Sequence, residues 1–114
     1  MKALSDLQLP RQLWSALQET KRRISAEFAV DRIVLFGSVV RGEADEESDV
    51  DLLIVLRQPS NNLVRNQISR LLLDINLEYD TNLSGLVVEQ TAWDAGLFTV
   101  LPIRVEIQED GIQL

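Results

Sequence analysis

LFGSVVRGEADEESDVDLLIVL, residues 35–56, decides how the chain is read. It opens in an apolar run ending at Gly37, crosses a turn and an acidic stretch, and closes on Asp49-Val50-Asp51 leading a second apolar run. Both runs are short, continuous and rich in aliphatic residues, which favours buried strands. Residues i and i+2 of a strand share a face about 6.6–7 Å apart. Asp49 and Asp51 therefore present two carboxylates on one side, while Val50 points into the core. Like charges held this close repel unless something neutralises them. A hard divalent cation does so, and Mg²⁺ favours one or two carboxylates plus substrate phosphates. The plainer alternative is two solvated residues at a strand edge.

The upstream half favours the metal. Gly37-Ser38 directly follows the first strand, and glycine lets backbone approach a ligand closely. A short helix after it would offer free N–H groups to a phosphate. The Ser38 hydroxyl either donates to a phosphate oxygen or caps that helix. Arg41-Gly42 adds a cation and a turn, with Arg41 either a phosphate contact or an ion-pair partner of the acidic loop. Ser48 shapes the turn or hydrogen-bonds a carboxylate. Glu43, Asp45, Glu46 and Glu47 form a solvated loop whose charge raises the cost of binding a triphosphate without metal.

Helical spacing of Leu13, Trp14, Leu17, Ile24 and Phe28 predicts an amphipathic helix over roughly 7–28, with Pro10 in its first turn. Its Lys21-Arg22-Arg23 run is a solvated face rather than a nucleic-acid contact. Residues 32–37 and 51–56 are strands. Pro59-Ser60-Asn61-Asn62 breaks the chain and caps a second helix that carries Val64, Ile68, Leu71, Leu72, Ile75 and Tyr79. Leu83 to Glu89 is a third strand, Thr91 caps a short turn through Trp93, and residues 103–109 form a last helix that Gly111 stops. The expected fold is α+β: a small mixed sheet of three to four strands flanked by helices. The 114 residues suit a single domain, with an N-terminal helix over 1–29, a core over 30–90 and a helical tail over 91–114.

With neither cysteine nor histidine, disulfides, thiolate and imidazole metal sites, and His-based triads are excluded. No apolar run reaches the ~18 residues that span a membrane, and residues 1–6 lack a signal-peptide core; the expected location is the cytoplasm. The net charge of −7 is unevenly spread. Residues 74–114 hold one base, Arg104, against eight acids. Direct nucleic-acid binding is not expected of such a surface. It is either a solubilising face or a docking face for a basic protein.

Gly37-Ser38-x-x-Arg41-Gly42 followed by Ser48-Asp49-x-Asp51-Leu52 resembles the signature of the minimal nucleotidyltransferases of the DNA polymerase β superfamily. Glu78-Tyr79, Trp93, Pro102 and Glu109-Asp110-Gly111-Ile112 are similar to the closing segment of its HEPN/MNT-type antitoxin subgroup. The resemblance implies that Asp49 and Asp51 are catalytic and ligate Mg²⁺ in a two-metal arrangement. It implies that Gly37, Ser38, Arg41, Gly42 and Ser48 line the seat of a nucleoside triphosphate, ATP being favoured. The implied reaction moves AMP onto a hydroxyl of a protein partner. That partner is a separate helical HEPN-type toxin. Active members carry a third carboxylate on the strand after the second helix, where this chain has Ser84 or a near neighbour. Glu89 lies about 17 Å further along such a strand, and Glu78 and Asp80 precede it. A catalytically weak or inactive nucleotidyltransferase-like subunit acting by protein contact is therefore the alternative. Other Asp-x-Asp classes fit less well. A haloacid-dehalogenase-type phosphatase needs Thr where Leu53 stands, and an EF-hand loop needs Gly where Leu52 stands.

Overall fold

The computed structural model describes residues 7–43 and 48–114. The expectations for residues 1–6, and for Asp45, Glu46 and Glu47 of the acidic loop, lie outside the described residues. Helix α1 is Arg11–Glu27. It starts later than the apolar spacing suggests because Pro10, at φ −54° and ψ 145°, is extended and stands before the helix rather than in its first turn. The buried stripe is Leu13, Ala16, Leu17, Thr20 and Ile24. Trp14, expected on that stripe, is 36% exposed. It sits one residue, about a quarter turn, off the line that Leu13 and Leu17 define. Thr20 is buried on the stripe because its hydroxyl donates to the Ala16 carbonyl at 2.7 Å, which satisfies the one polar atom that burial would strand.

Strand β1 (Val30–Phe36) pairs antiparallel with β2 (Val50–Leu56), placing Leu35 opposite Leu52 and Phe36 opposite Asp51. Helix α2 (Ser38–Arg41) lies between them. Helix α3 (Asn62–Tyr79) begins where the Asn61 side chain accepts from the Val64 N–H at 2.9 Å, the cap expected from the Pro59–Asn62 break. Strand β3 (Leu83–Glu89) then runs parallel to β2. Helix α4 (Gln90–Ala95) follows without a gap, so Thr91 lies inside it and Glu89 occupies the cap position expected of Thr91. After a 3₁₀ turn at Leu97–Val100 comes α5 (Pro102–Asp110). Beyond Gly111, where the sequence suggests only an end, Ile112–Gln113 form β4, antiparallel to β1. A two-residue strand shows no periodicity, so only its partner reveals it.

The sheet order is β3-β2-β1-β4. The result is a four-stranded mixed sheet with five α-helices among the described residues, the α+β arrangement expected. Alternation divides the core. Ile33, Leu35, Leu52, Ile54 and Leu56 pack with α1 and α3 on one face. Val34, Phe36, Leu53, Val55 and Val88 pack with Trp93 and Ile107 on the other. Both faces being covered explains why the strands are continuously apolar. Among the described residues, no helix is long and apolar enough to cross a membrane.

On the rim, the Lys21-Arg22-Arg23 run is partly used in ion pairs. Glu19 accepts from Arg22 and Arg23, and these guanidiniums hold its carboxyl down at about 2. Arg23 also donates to Glu78 of α3 at 2.8 Å.

Candidate functional site

The site forms where β1 ends and β2 begins. Asp49 is exposed just before β2, and Asp51, half-buried, is its second residue. Strand parity sends Asp51 to the same face as Leu53 and Val55, the face that α5 covers, while Val50 is buried on the α1/α3 face. Asp49 stands one residue before the strand, and its charge is felt at Asp51.

Asp51 lies against the Gly37 turn. A Cβ on Gly37 would stand 2.5 Å from Asp51 Oδ2, and Gly37 holds φ +86°. Glycine is needed there on two counts: the close approach and a backbone angle that L side chains rarely adopt. Helix α2 then winds directly from this turn. The Val40 and Arg41 N–H groups donate to the Gly37 carbonyl at 3.2 and 3.4 Å, so those of Ser38 and Val39 come before the helix's own bonds begin. Gly42 ends the turn at φ 73°. Gly37, Ser38, Arg41 and Gly42 are therefore gathered in one tight turn beside Asp51. Ser48 is half-buried where the chain returns toward β2.

Arg41 makes the ion pair with the acidic loop left open as an alternative, and a second pair besides. Its Nε meets Glu43 at 3.3 Å, and its Nη1 meets Glu106 of α5 at 2.9 Å. Glu106 is a residue that sequence reasoning misses. The apolar residues Ile103 and Ile107 mark the face of α5 that packs on the sheet, but no local pattern tells that its neighbour Glu106 meets Arg41, 65 positions earlier. Burial pushes the Asp51 carboxyl up, and the like charges of Asp49 and then Glu106 add to this while Arg41 opposes it. The cluster is thus short of positive charge.

Register decides the question of the third acid. Ser84 pairs directly with Asp51 across the parallel β2/β3 ladder, so the residue beside the acid pair is a hydroxyl. No nearby acid replaces it from the same strand. Glu78 is bonded to Arg23, and Asp80 ends α3 in a left-handed conformation, at φ 54°. Glu89 stands opposite Leu56 at the far end and accepts from the Ser60 N–H at 2.8 Å. Among the described residues no group of three or more acidic side chains is placed to hold a metal ion. The donor set is two hard oxygen ligands beside an open turn. That suits Mg²⁺ completed by phosphate oxygens, and not an all-protein cage.

Asn76, unremarked in the sequence, sets that register. Its side chain accepts from the Leu83 N–H at 2.8 Å and from the Thr81 hydroxyl at 3.0 Å, and donates to the Leu83 carbonyl at 3.0 Å. An open cleft of about 750 Å³ lies next to the site, lined in part by Leu13, Val39, Gly42, Ser48 and Val50. It opens on the α1/α3 side of β2 and does not include Asp49 or Asp51. The candidate site is placed on the carboxylate side, where Asp51 meets the Gly37 turn.

Comparison with known proteins finds relatives by sequence and by fold. A family model described as "Nucleotidyltransferase domain" matches residues 17–109. MJ0141 of Methanocaldococcus jannaschii, provisionally named a protein adenylyltransferase, is 35% identical over 77 residues, covering 66% of this chain and 78% of that protein. A solved structure of a provisionally identified minimal nucleotidyltransferase superposes with a TM-score of 0.62 at 22% identity, covering 94% of this chain and 98% of that one. A toxin–antitoxin structure with AMP-PNP gives a TM-score of 0.60 at 15% identity, covering 91% of this chain and 72% of that one. At these identities the two structures speak to the fold alone.

Proposed function

The chain belongs to the nucleotidyltransferase domain family, and from that premise we propose that it transfers AMP from ATP to a hydroxyl of a protein partner, with Mg²⁺ bound at Asp49 and Asp51. The observation that carries this reading is the close approach of Asp51, two residues after Asp49, to the Gly37-Ser38 turn, where a Cβ on Gly37 would stand 2.5 Å from its Oδ2.

In this reading Asp49 and Asp51 hold the metal through hard oxygen donors. The Ser38 hydroxyl and the N–H groups opening α2 receive the β- and γ-phosphates, Gly42 and Ser48 close the turn around them, and Arg41 neutralises their charge. Bound Mg²⁺ would supply charge neutralisation at the phosphates and a lowered pKa for the attacking hydroxyl. The acceptor oxygen bonds to the α-phosphorus, the bond from that phosphorus to the bridging oxygen breaks, and pyrophosphate leaves. The hydroxyl proton passes to a carboxylate of the pair, since Ser84 is not a base. The lack of histidine costs this chemistry nothing, because phosphoryl transfer rests on positioning and electrostatics.

For the partner we propose a separate helical protein of HEPN type, acting in the cytoplasm as the toxin that this chain restrains. A fold neighbour solved as a toxin–antitoxin assembly makes a protein partner the natural candidate, and the adenylyltransferase name of MJ0141 supports AMP as the group moved. The pairing of Ser84 with Asp51 favours a second reading, in which transfer is weak and the chain acts mainly by contact.

ATP labelled at the α-phosphate, incubated with the chain, Mg²⁺ and a purified helical HEPN-type protein, separates the two. The first reading expects label on the partner and none from γ-labelled ATP. Complex formation without label on the partner would favour the second.

A further inference from the structure

The cation offered to the phosphates is already engaged. Arg41 Nη1 lies 2.9 Å from a Glu106 oxygen and its Nε lies 3.3 Å from Glu43. A carboxylate meets a guanidinium through the same N–H···O geometry as a phosphate oxygen, so the two compete for the same donors.

Glu43 is two residues from Arg41, and its pairing needs no tertiary structure. Glu106 is different. It rides on α5, whose next residue, Ile107, is buried against the sheet. Beyond the helix the chain is tied down by β4, with Ile112 opposite Leu35 and Gln113 opposite Val34. The backbone under Glu106 is therefore fixed, while the side chain itself is half exposed and free to turn away. The surroundings give it reason to do so once Arg41 is lost: Asp49 and Asp51 already concentrate negative charge here, and a further carboxylate without its cation is repelled.

We infer that Glu106 guards the phosphate-binding cation: its carboxylate holds Arg41 in the nucleotide-free protein and must be displaced when a triphosphate binds. This rests on the reading of Arg41 as a phosphate contact. Glu106 thereby sets nucleotide affinity from outside the signature segment, and the C-terminal helix gains a direct link to site occupancy.

Calorimetric titration of MgATP at low ionic strength into the whole chain and five variants tests this. Glu106→Gln keeps the shape and removes the charge, and is expected to bind about two- to fivefold tighter, the range of an exposed ion pair. Glu109→Gln removes an equal charge about one turn further along the same helix, from a residue not paired with Arg41, and is expected to leave affinity unchanged. Arg41→Gln is expected to weaken binding, and adding Glu106→Gln to it is expected to give no gain. Thermal melts of each variant confirm folding, with Glu106→Ala as a second substitution. Unchanged or weaker binding by Glu106→Gln overturns the guard. So does an equal gain in Glu109→Gln or in the Arg41→Gln background, since that would be a general field effect. If the wild-type chain does not bind MgATP, or Arg41→Gln binds equally well, the underlying reading of the site has failed and the inference falls with it.

Discussion

Asp51 is costly to the fold that carries it. Its carboxyl is pushed up by burial and by Asp49, then Glu106. An acid whose folded pKa is raised favours the folded state while protonated, and that contribution is lost as pH rises through the folded value. At neutral pH the charge therefore opposes folding. Asp51→Asn should raise Tm by about 1–3 °C at pH 7 without metal. The difference should shrink as pH falls through the carboxyl's range, where the aspartic acid is as neutral as the asparagine. Melting curves from pH 4 to 8 would show it, and a lower Tm for the variant at pH 7 would mean that the carboxylate is satisfied as it stands. Ser84 gives the complementary prediction. Because it pairs with Asp51, Ser84→Asp is expected to increase Mg²⁺-dependent AMP transfer by about tenfold or more, as a positioned base commonly does. It should also lower the metal-free Tm. Label transfer no faster than in the parent chain would show that the third acid is not what limits this site.

The turn between α3 and β3 fixes which residue stands beside Asp51. Asn76 makes three side-chain hydrogen bonds there, and a buried or half-buried partner left unpaired costs about 1–3 kcal/mol. Asn76→Ala should lower unfolding stability by that order in urea titrations and weaken metal-dependent nucleotide binding. A variant with unchanged urea midpoint would remove Asn76 from the account. At this scale much was legible in the sequence. Helix α3 and strands β2 and β3 follow from apolar runs with clear breaks, and the face that Asp51 takes follows from strand parity alone. What escaped has a physical reason in each case. Trp14 sits a quarter turn from a buried line that Ala16 and Thr20, weak apolar signals, help to draw. β4 is too short to carry a period and exists through its pairing with β1. Glu106 reaches the site only because α5 docks on the sheet, a tertiary fact that no local spacing encodes.

Across the molecule, charge and site are arranged together. Ten of the eleven basic residues fall in residues 1–73, and Arg104, the exception, donates to the Trp93 carbonyl at 2.9 Å. The acid-rich final third includes Glu106, so the segment that closes the fold also brings negative charge to the nucleotide side. Such a surface suits a basic protein partner and disfavours a phosphate backbone. On the proposed reading it also makes nucleotide binding depend on a cation: acids from β2, α2's end and α5 lie around Arg41, and a triphosphate arriving without metal would meet net repulsion. Calorimetric titration of ATP into the chain with and without Mg²⁺ therefore tests the central claim most directly. The account predicts binding with Mg²⁺ or Mn²⁺, none with a chelator, and loss of binding in the Asp49→Asn/Asp51→Asn double variant. ATP binding that needs no metal and survives the double variant would contradict it.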